Sequence, residues 1–169
     1  MALVLARGFG VTTAVYAGFL ACLVAIARED WHTRTVPNGW LGAAVLLRLV
    51  PLLGLLASTG DAATVGYALC EAAIGTVAVM AFIGGTAILA STAMGSCALG
   101  VGDIKLFGVA GWYFGWQGAV AVLLAASLLS LPLAAVQRAR DHRAGRAFDG
   151  TFPFAPAIAV ACWLEMLFG

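Results

Sequence analysis

Charged side chains are scarce in this chain of 169 residues, at 10% of the total, whereas soluble domains carry roughly 25%. Hydrophobic residues make up 63% of the sequence, and the mean hydropathy is +1.01. This composition excludes an ordinary soluble domain and indicates an integral membrane protein. The net charge of +1 carries no excess of cations, so the composition gives no support for nucleic-acid binding.

Cysteine and histidine are also few, with four and two residues, and no Cys-x-x-Cys pair occurs. The cysteines lie far apart in or beside apolar runs, so their spacing speaks against a disulfide framework or a metal site, and we expect neither a metal nor a cofactor. An apolar run from Phe9 to Ala27 follows Arg7. It is long for a signal peptide and lacks a small-residue cleavage site, so it predicts a retained first span.

Apolar runs divide the chain into six predicted membrane spans, because a helix needs about 20 apolar residues to cross a bilayer. The third run is longer than this and predicts tilt or protrusion into water. We therefore expect an all-α bundle of six transmembrane helices that forms a single integral-membrane domain over residues 1–169, with a turn at 116–118. The predicted spans cover residues 8–27, 39–57, 63–90, 101–115, 119–136 and 152–168.

The distribution of cations predicts the orientation of these spans, because loops rich in Lys and Arg stay in the cytoplasm. The loops after spans one, three and five hold seven cations, whereas the opposite side holds only Arg7. Both termini should therefore lie outside the cytoplasm, and Asp30 and Asp103 should lie at the same cytoplasmic side. The seven cations are Arg28, Arg34, Lys105, Arg138, Arg140, Arg143 and Arg146.

Asp103 stands out because a carboxylate within a membrane span costs about 2.5 to 3.5 kcal/mol to insert. Gly100 and Gly102 precede it and allow a tight turn or the close approach of another chain. If the first and fourth helices pack together, Asp30 and Asp103 face each other. Two neighbouring carboxyl groups resist joint ionisation, so the charged one can take a proton from water while the neutral one donates to a scissile carbonyl. Two plainer interpretations stay open: Asp103 as a helix cap, and Asp30 as a solvated loop residue beside Arg34.

Three short motifs of this sequence resemble those of one known family. The stretch 30–38, Asp-Trp-His-Thr-Arg-Thr-Val-Pro-Asn, is similar to the first signature of the type IV prepilin peptidases, an Asp followed at fixed spacing by Pro-Asn. The stretch 100–103, Gly-Val-Gly-Asp, resembles the GxGD motif that names a wider class of intramembrane aspartyl proteases. The stretch 152–157, Phe-Pro-Phe-Ala-Pro-Ala, is similar to the opening of the last span in this family.

The resemblance implies a membrane aspartic endopeptidase that removes the leader of type IV prepilins or pseudopilins at the cytoplasmic face of the inner membrane. Its substrates would carry a short basic leader followed by a hydrophobic helix. The resemblance also implies that Asp30 and Asp103 are the catalytic residues and act with water. The residues that it implies as substrate-binding or supporting are Arg34, Pro37, Asn38, Gly100, Gly102, Lys105 and Pro153.

Longer bacterial members of this family carry an additional cytoplasmic region with paired Cys-x-x-Cys motifs and also methylate the new amino terminus. This sequence has no such pairs, which implies cleavage without methylation. It is in this respect similar to the short peptidases of tight-adherence (Flp-type) pilus systems, and also to archaeal preflagellin peptidases.

A function from another class is a small transporter or channel component, in which Asp30, Asp103 and Glu71 form a proton or cation path. Glu71 and Arg48 each lie nine or ten residues into their predicted spans, a depth near the bilayer midplane at 1.5 Å per residue. Because an unpaired charge at that depth is costly, we expect these two side chains to pair.

Overall fold

The protein, described here from a computed structural model, is all α-helical over residues 10–94, 100–143 and 153–169, which are the residues that the structure describes. The predicted all-α class is therefore confirmed. Arg7, Cys97, Arg146 and Phe152, which entered the sequence interpretation, lie outside these ranges. The five helices are α1 (Val11–Thr33), α2 (Asn38–Thr59), α3 (Ala62–Met94), α4 (Val101–Arg143) and α5 (Ala155–Phe168).

Four of these helices are long and apolar enough to cross a membrane. Helix α5 has 14 residues, fewer than the roughly 20 that a span needs. The predicted count of six spans is thus wrong, and the expected fourth and fifth spans are two helical segments of α4 that adjoin at a break at Gly115.

Helix α4 has 43 residues, and its backbone leaves helical geometry at Gly115, where φ is 68° and ψ is −173°. A straight helix of that length would measure about 65 Å, roughly twice the hydrocarbon core of a bilayer. Gly115 interrupts this length, and glycine adopts a positive φ without the steric cost that a Cβ brings. The turn expected at 116–118 is helical instead, because a single residue suffices to redirect the chain.

The connections between the first three helices are short. Helix α1 continues past its predicted end through Asp30 and closes at Arg34, which has a left-handed backbone with φ of 53°. Helix α2 ends at Gly60, and Asp61 then caps α3 by accepting hydrogen bonds from the backbone N–H and the hydroxyl of Thr64. These hydrogen bonds hold the pKa of the Asp61 carboxyl below its usual value. Residues 28–33, which follow the first apolar run, belong to α1.

The first half of α4 lies at the centre of the core. Phe19 of α1 stacks on Tyr113 with ring centroids 3.8 Å apart, and the Tyr113 hydroxyl donates a hydrogen bond of 2.8 Å to the carbonyl oxygen of Ala44 in α2. Phe107 packs against Phe154, next to the start of α5, with ring centroids 6.0 Å apart. This half of α4 therefore contacts α1, α2 and the α5 end at once.

Arg48 of α2 also contacts α4. Its guanidinium donates a hydrogen bond to the carbonyl oxygen of Trp112 and lies 6.0 and 5.8 Å from the ring centroids of Trp112 and Tyr113. Glu71 is exposed on α3 and adds only a charge interaction. The expected Arg48–Glu71 pair is therefore replaced by a carbonyl and two aromatic faces, which also stabilise a cation.

Glycine allows α3 and α4 to approach closely. A Cβ on Gly75 would lie 2.7 Å from the carbonyl oxygen of Gly111 and 3.0 Å from the Cα of Gly115. Backbone atoms cannot rotate away as the end of a side chain can, so a larger residue at this crossing would separate the helices. Small residues at helix crossings have this role in membrane bundles generally.

Substitution of Gly75 by Ala should therefore lower the free energy of unfolding by about 1–3 kcal/mol, the usual cost of overpacking. The measurement is equilibrium unfolding in detergent micelles followed by circular dichroism. Gly85→Ala on the same helix is the matched control, because a Cβ there meets no atom within 4 Å. It should be neutral or stabilising, since Ala favours helices over Gly. Equal stability of the two variants would contradict the proposed role of the crossing.

Candidate active site

Four helix ends meet around two aspartates. Asp30 lies in the last turn of α1 with 5% of its surface exposed, and Asp103 lies partly buried in the first turn of α4. The N-terminal ends of α2 and α5 adjoin them: Lys105 donates a hydrogen bond to Asn38 at the start of α2, and Ala155 at the start of α5 donates one to Asp30. Helix N-termini carry N–H groups without intrahelical partners and a partial positive charge, so this end of the bundle favours carboxylates.

The carboxylate of Asp30 caps α5 from a distance of 125 residues along the chain. Its Oδ2 accepts a hydrogen bond of 3.1 Å from the backbone N–H of Ala155, and the backbone of Phe154 also donates to it. Pro156 has no N–H, and the N–H of Ala157 bonds to the carbonyl oxygen of Phe154 at 3.0 Å. The first N–H groups of α5 are therefore directed to Asp30.

Asp103 is held by the turn that opens α4. Its backbone N–H donates a hydrogen bond of 3.1 Å to the carbonyl oxygen of Gly100, and its carboxylate folds back over that glycine, so that a Cβ on Gly100 would lie 3.2 Å from Oδ2. The charge of Asp30 acts on the Asp103 carboxyl, and the charge of Arg34 acts on Asp30. The two predicted acids therefore interact electrostatically, and Arg34, between α1 and α2, interacts with Asp30.

The loop between α1 and α2 packs directly on the start of α4. A Cβ on Gly102 would lie 2.8 Å from the Cβ of Val36 and 2.9 Å from its Cγ2, so only glycine fits there without displacing the loop. Pro37 follows with extended backbone geometry, φ −73° and ψ 127°, and leads into α2. Gly102 and Val36 therefore set the distance between the two segments that carry the acids.

A second link joins the same segments at the surface. The Nζ of Lys105 donates a hydrogen bond of 3.1 Å to the Oδ1 of Asn38, and both side chains are exposed. Pro153 lies half-buried just before α5 and precedes the residues that donate to Asp30. All of the residues that the resemblance implies for the site are therefore near this end of the bundle.

Sequence reasoning did not identify the backbone N–H groups that donate to Asp30 or the contact between Val36 and Gly102. The two prolines at 153 and 156 do indicate a helix start with few N–H groups, and this was the available signal. The residue that accepts from those N–H groups lies on the first helix, and no local pattern identifies it.

The model of the type IV leader peptidase family matches residues 17–135, a range that includes both aspartates. The chain belongs to this family. The family predicted from the motifs is therefore confirmed.

One curated relative among the members of this peptidase family is the prepilin leader peptidase/N-methyltransferase of Bacillus subtilis (strain 168). It is 31% identical over 166 residues, which cover 95% of this chain and 59% of that protein. The chain thus spans less than two thirds of the length of the relative. No solved structure matches the chain.

The contact of Gly102 with Val36 predicts a specific energetic coupling. Gly102→Ala should destabilise the protein by about 1–3 kcal/mol, because the new methyl group overlaps the Val36 side chain. In a Val36→Gly background, which lacks both the Cβ and the Cγ2 that overlap the new methyl group, the same change should cost less by at least about 0.5 kcal/mol, the size expected for residues in contact. Unfolding of the two single variants and the double variant measures this coupling, and strictly additive costs would contradict the contact.

Proposed function

We propose that this protein is a membrane aspartic endopeptidase that cleaves the leader from type IV prepilins or pseudopilins, with Asp30 and Asp103 as its catalytic pair. The observation that supports this most directly is that the charge of Asp30 acts on the partly buried Asp103 carboxyl at one end of a bundle that is otherwise poor in charge. Membership of the type IV leader peptidase family supports peptide hydrolysis. The similarity to a prepilin leader peptidase/N-methyltransferase of Bacillus subtilis supports prepilin leaders as substrates.

The environment of each acid favours one division of roles. Backbone N–H groups that donate to a carboxylate stabilise its ionised form, as does a nearby cation. Asp30 receives such bonds from Ala155 and Phe154 and has the charge of Arg34 nearby, whereas Asp103 receives one bond, from Gly100. Two close carboxyl groups resist double ionisation, which leaves the proton on Asp103. Asp30 is then the general base and Asp103 the general acid.

The reaction follows from these roles. Asp30 takes a proton from a water molecule as the water oxygen attacks the scissile carbonyl carbon, while Asp103 gives its proton to the carbonyl oxygen. The tetrahedral intermediate then collapses, the C–N bond breaks, Asp103 recovers its proton, and Asp30 gives its proton to the leaving nitrogen. Both acids return to their starting states, and no covalent bond to the enzyme forms.

We place the site at the cytoplasmic face of the inner membrane. Arg28, Arg34 and Lys105 are exposed around the two acids, and cations in short loops favour the cytoplasmic side. We also propose that cleavage proceeds without N-methylation, since the chain carries none of the Cys-x-x-Cys pairs of the longer family members. The transport alternative loses one member of its path, because Glu71 is exposed on α3.

Each of Asp30→Asn and Asp103→Asn should lower kcat/KM for a full-length prepilin by about 10²–10⁴-fold, because each removes one partner of acid–base catalysis. The measurement is the appearance of the shortened product after incubation in detergent, quantified by mass spectrometry. Circular dichroism and size-exclusion chromatography check that both variants keep the fold.

Glu71→Gln and Asp61→Asn are matched controls. Both remove an exposed carboxylate away from the site, and Asn remains a good cap for α3. Both should cleave at the rate of the unmodified protein. Normal cleavage by a folded Asp30→Asn or Asp103→Asn variant would exclude the proposed mechanism.

A further inference from the structure

A cleft of about 630 Å³ separates α2 from the α3–α4 pair. Helix α2 packs mainly against α1 and contacts α3 and α4 only sparsely, whereas α3 and α4 pack closely together. A side chain added at Gly42 of α2 would meet no atom within 4 Å, so the space in front of this residue is open. On the opposite wall, a Cβ on Gly108 would lie 2.6 Å from the Sδ of Met80, which shows that this wall is closed.

The cleft begins beside the two acids. Its walls include two stripes at helical spacing, one on α2 and one on α4, that start at Asn38 and Lys105 and run toward Val45 and Trp112. Each stripe spans about two turns, or roughly 10 Å. Lys105 lies two residues after Asp103 and its amine is bonded to Asn38, so the polar mouth of the cleft adjoins the site and the remainder is almost entirely apolar.

The size and surface of the cleft suit part of a helix. A helix about 10 Å in diameter occupies roughly 120 Å³ per residue, so 630 Å³ corresponds to about five residues, or between one and two turns. Gly42 lets the backbone of such a helix come close to α2, as small residues do in membrane helix contacts. Cationic side chains of a bound helix would find no partners on the apolar lining, and Lys105 at the mouth would repel them.

We propose that this cleft binds the apolar segment of the substrate that adjoins the scissile bond. The proposal rests on the proposed function, under which the substrate joins a basic leader to a hydrophobic helix. The positive mouth and the apolar walls select the hydrophobic part and leave the basic leader in water beyond the two acids. The cleft thereby sets the direction in which the substrate lies across Asp30 and Asp103.

Filling the cleft tests this assignment. Gly42→Leu should raise KM for a full-length prepilin at least tenfold and change kcat less than twofold. A short peptide that holds the leader and the cleavage site but lacks the apolar segment should be cleaved at the kcat/KM of the unmodified enzyme. The matched control is Gly54→Leu on the same helix, where an added Cβ also meets no atom within 4 Å but which does not line the cleft. Gly54→Leu should leave the cleavage kinetics of the full-length prepilin and of the short peptide unchanged.

Photo-crosslinking provides a measurement that does not depend on the folding of Gly42→Leu. A benzophenone amino acid replaces Leu46, which lines the cleft, or Leu53, which does not; their exposures are alike, at 62% and 61%. In an Asp103→Asn background, position 46 should crosslink the apolar segment of the prepilin and position 53 should not. Crosslinks from position 46 to lipid alone, or equal crosslinking of the prepilin from both positions, would overturn the proposal.

The two proposals fail separately. If Asp30→Asn and Asp103→Asn lose cleavage while Gly42→Leu folds and keeps its normal KM, the cleft does not bind substrate and the catalytic assignment stands. If the Asn variants cleave normally, the catalytic assignment fails, and the crosslinking result alone decides the role of the cleft.

Discussion

The carboxylate of Asp30 and the first N–H groups of α5 satisfy each other, and the rest of the site depends on this interaction. A buried carboxylate without partners is costly, and so is a buried helix end with unpaired N–H groups. The hydrogen bond from Ala155 to Asp30 resolves both costs at once and ties the last helix to the first. It also gives Asp30 a fixed position against which Asp103 can be placed.

The position of Asp103 depends on how closely backbones can approach. Gly102 lets the loop at Val36 lie against the start of α4, and Gly75 and Gly111 let α3 lie against the middle of the same helix. Because α4 is held on these two sides, its first turn presents Asp103 at a defined place beside Asp30. Glycine in this protein thus controls distances between segments as well as the change of direction within α4 at Gly115.

The looser packing of α2 has the opposite effect. Tyr113 and Arg48 join α2 to α4 through hydrogen bonds to backbone carbonyl groups, and these contacts hold the helix at a distance without filling the space next to it. A cleft remains between them, with its polar end beside the acids. Tight packing on one side of α4 and open packing on the other therefore give a rigid support for Asp103 and room for a ligand next to it.

The sequence alone determined the membrane class, the all-α fold, the approximate extent of the apolar helices and the family, because each of these follows from local composition or from short motifs. It also predicted Asp103 and Asp30 as site residues, the first because a carboxylate is conspicuous in an apolar span and the second because of its motif. It did not determine that the chain changes direction at the single residue Gly115, between two helical segments of α4. Nor did it determine the partners of Asp30 and Arg48 or the cleft. Those depend on how helices far apart in the chain are rotated and spaced against one another, and local patterns carry no information about rotation and spacing.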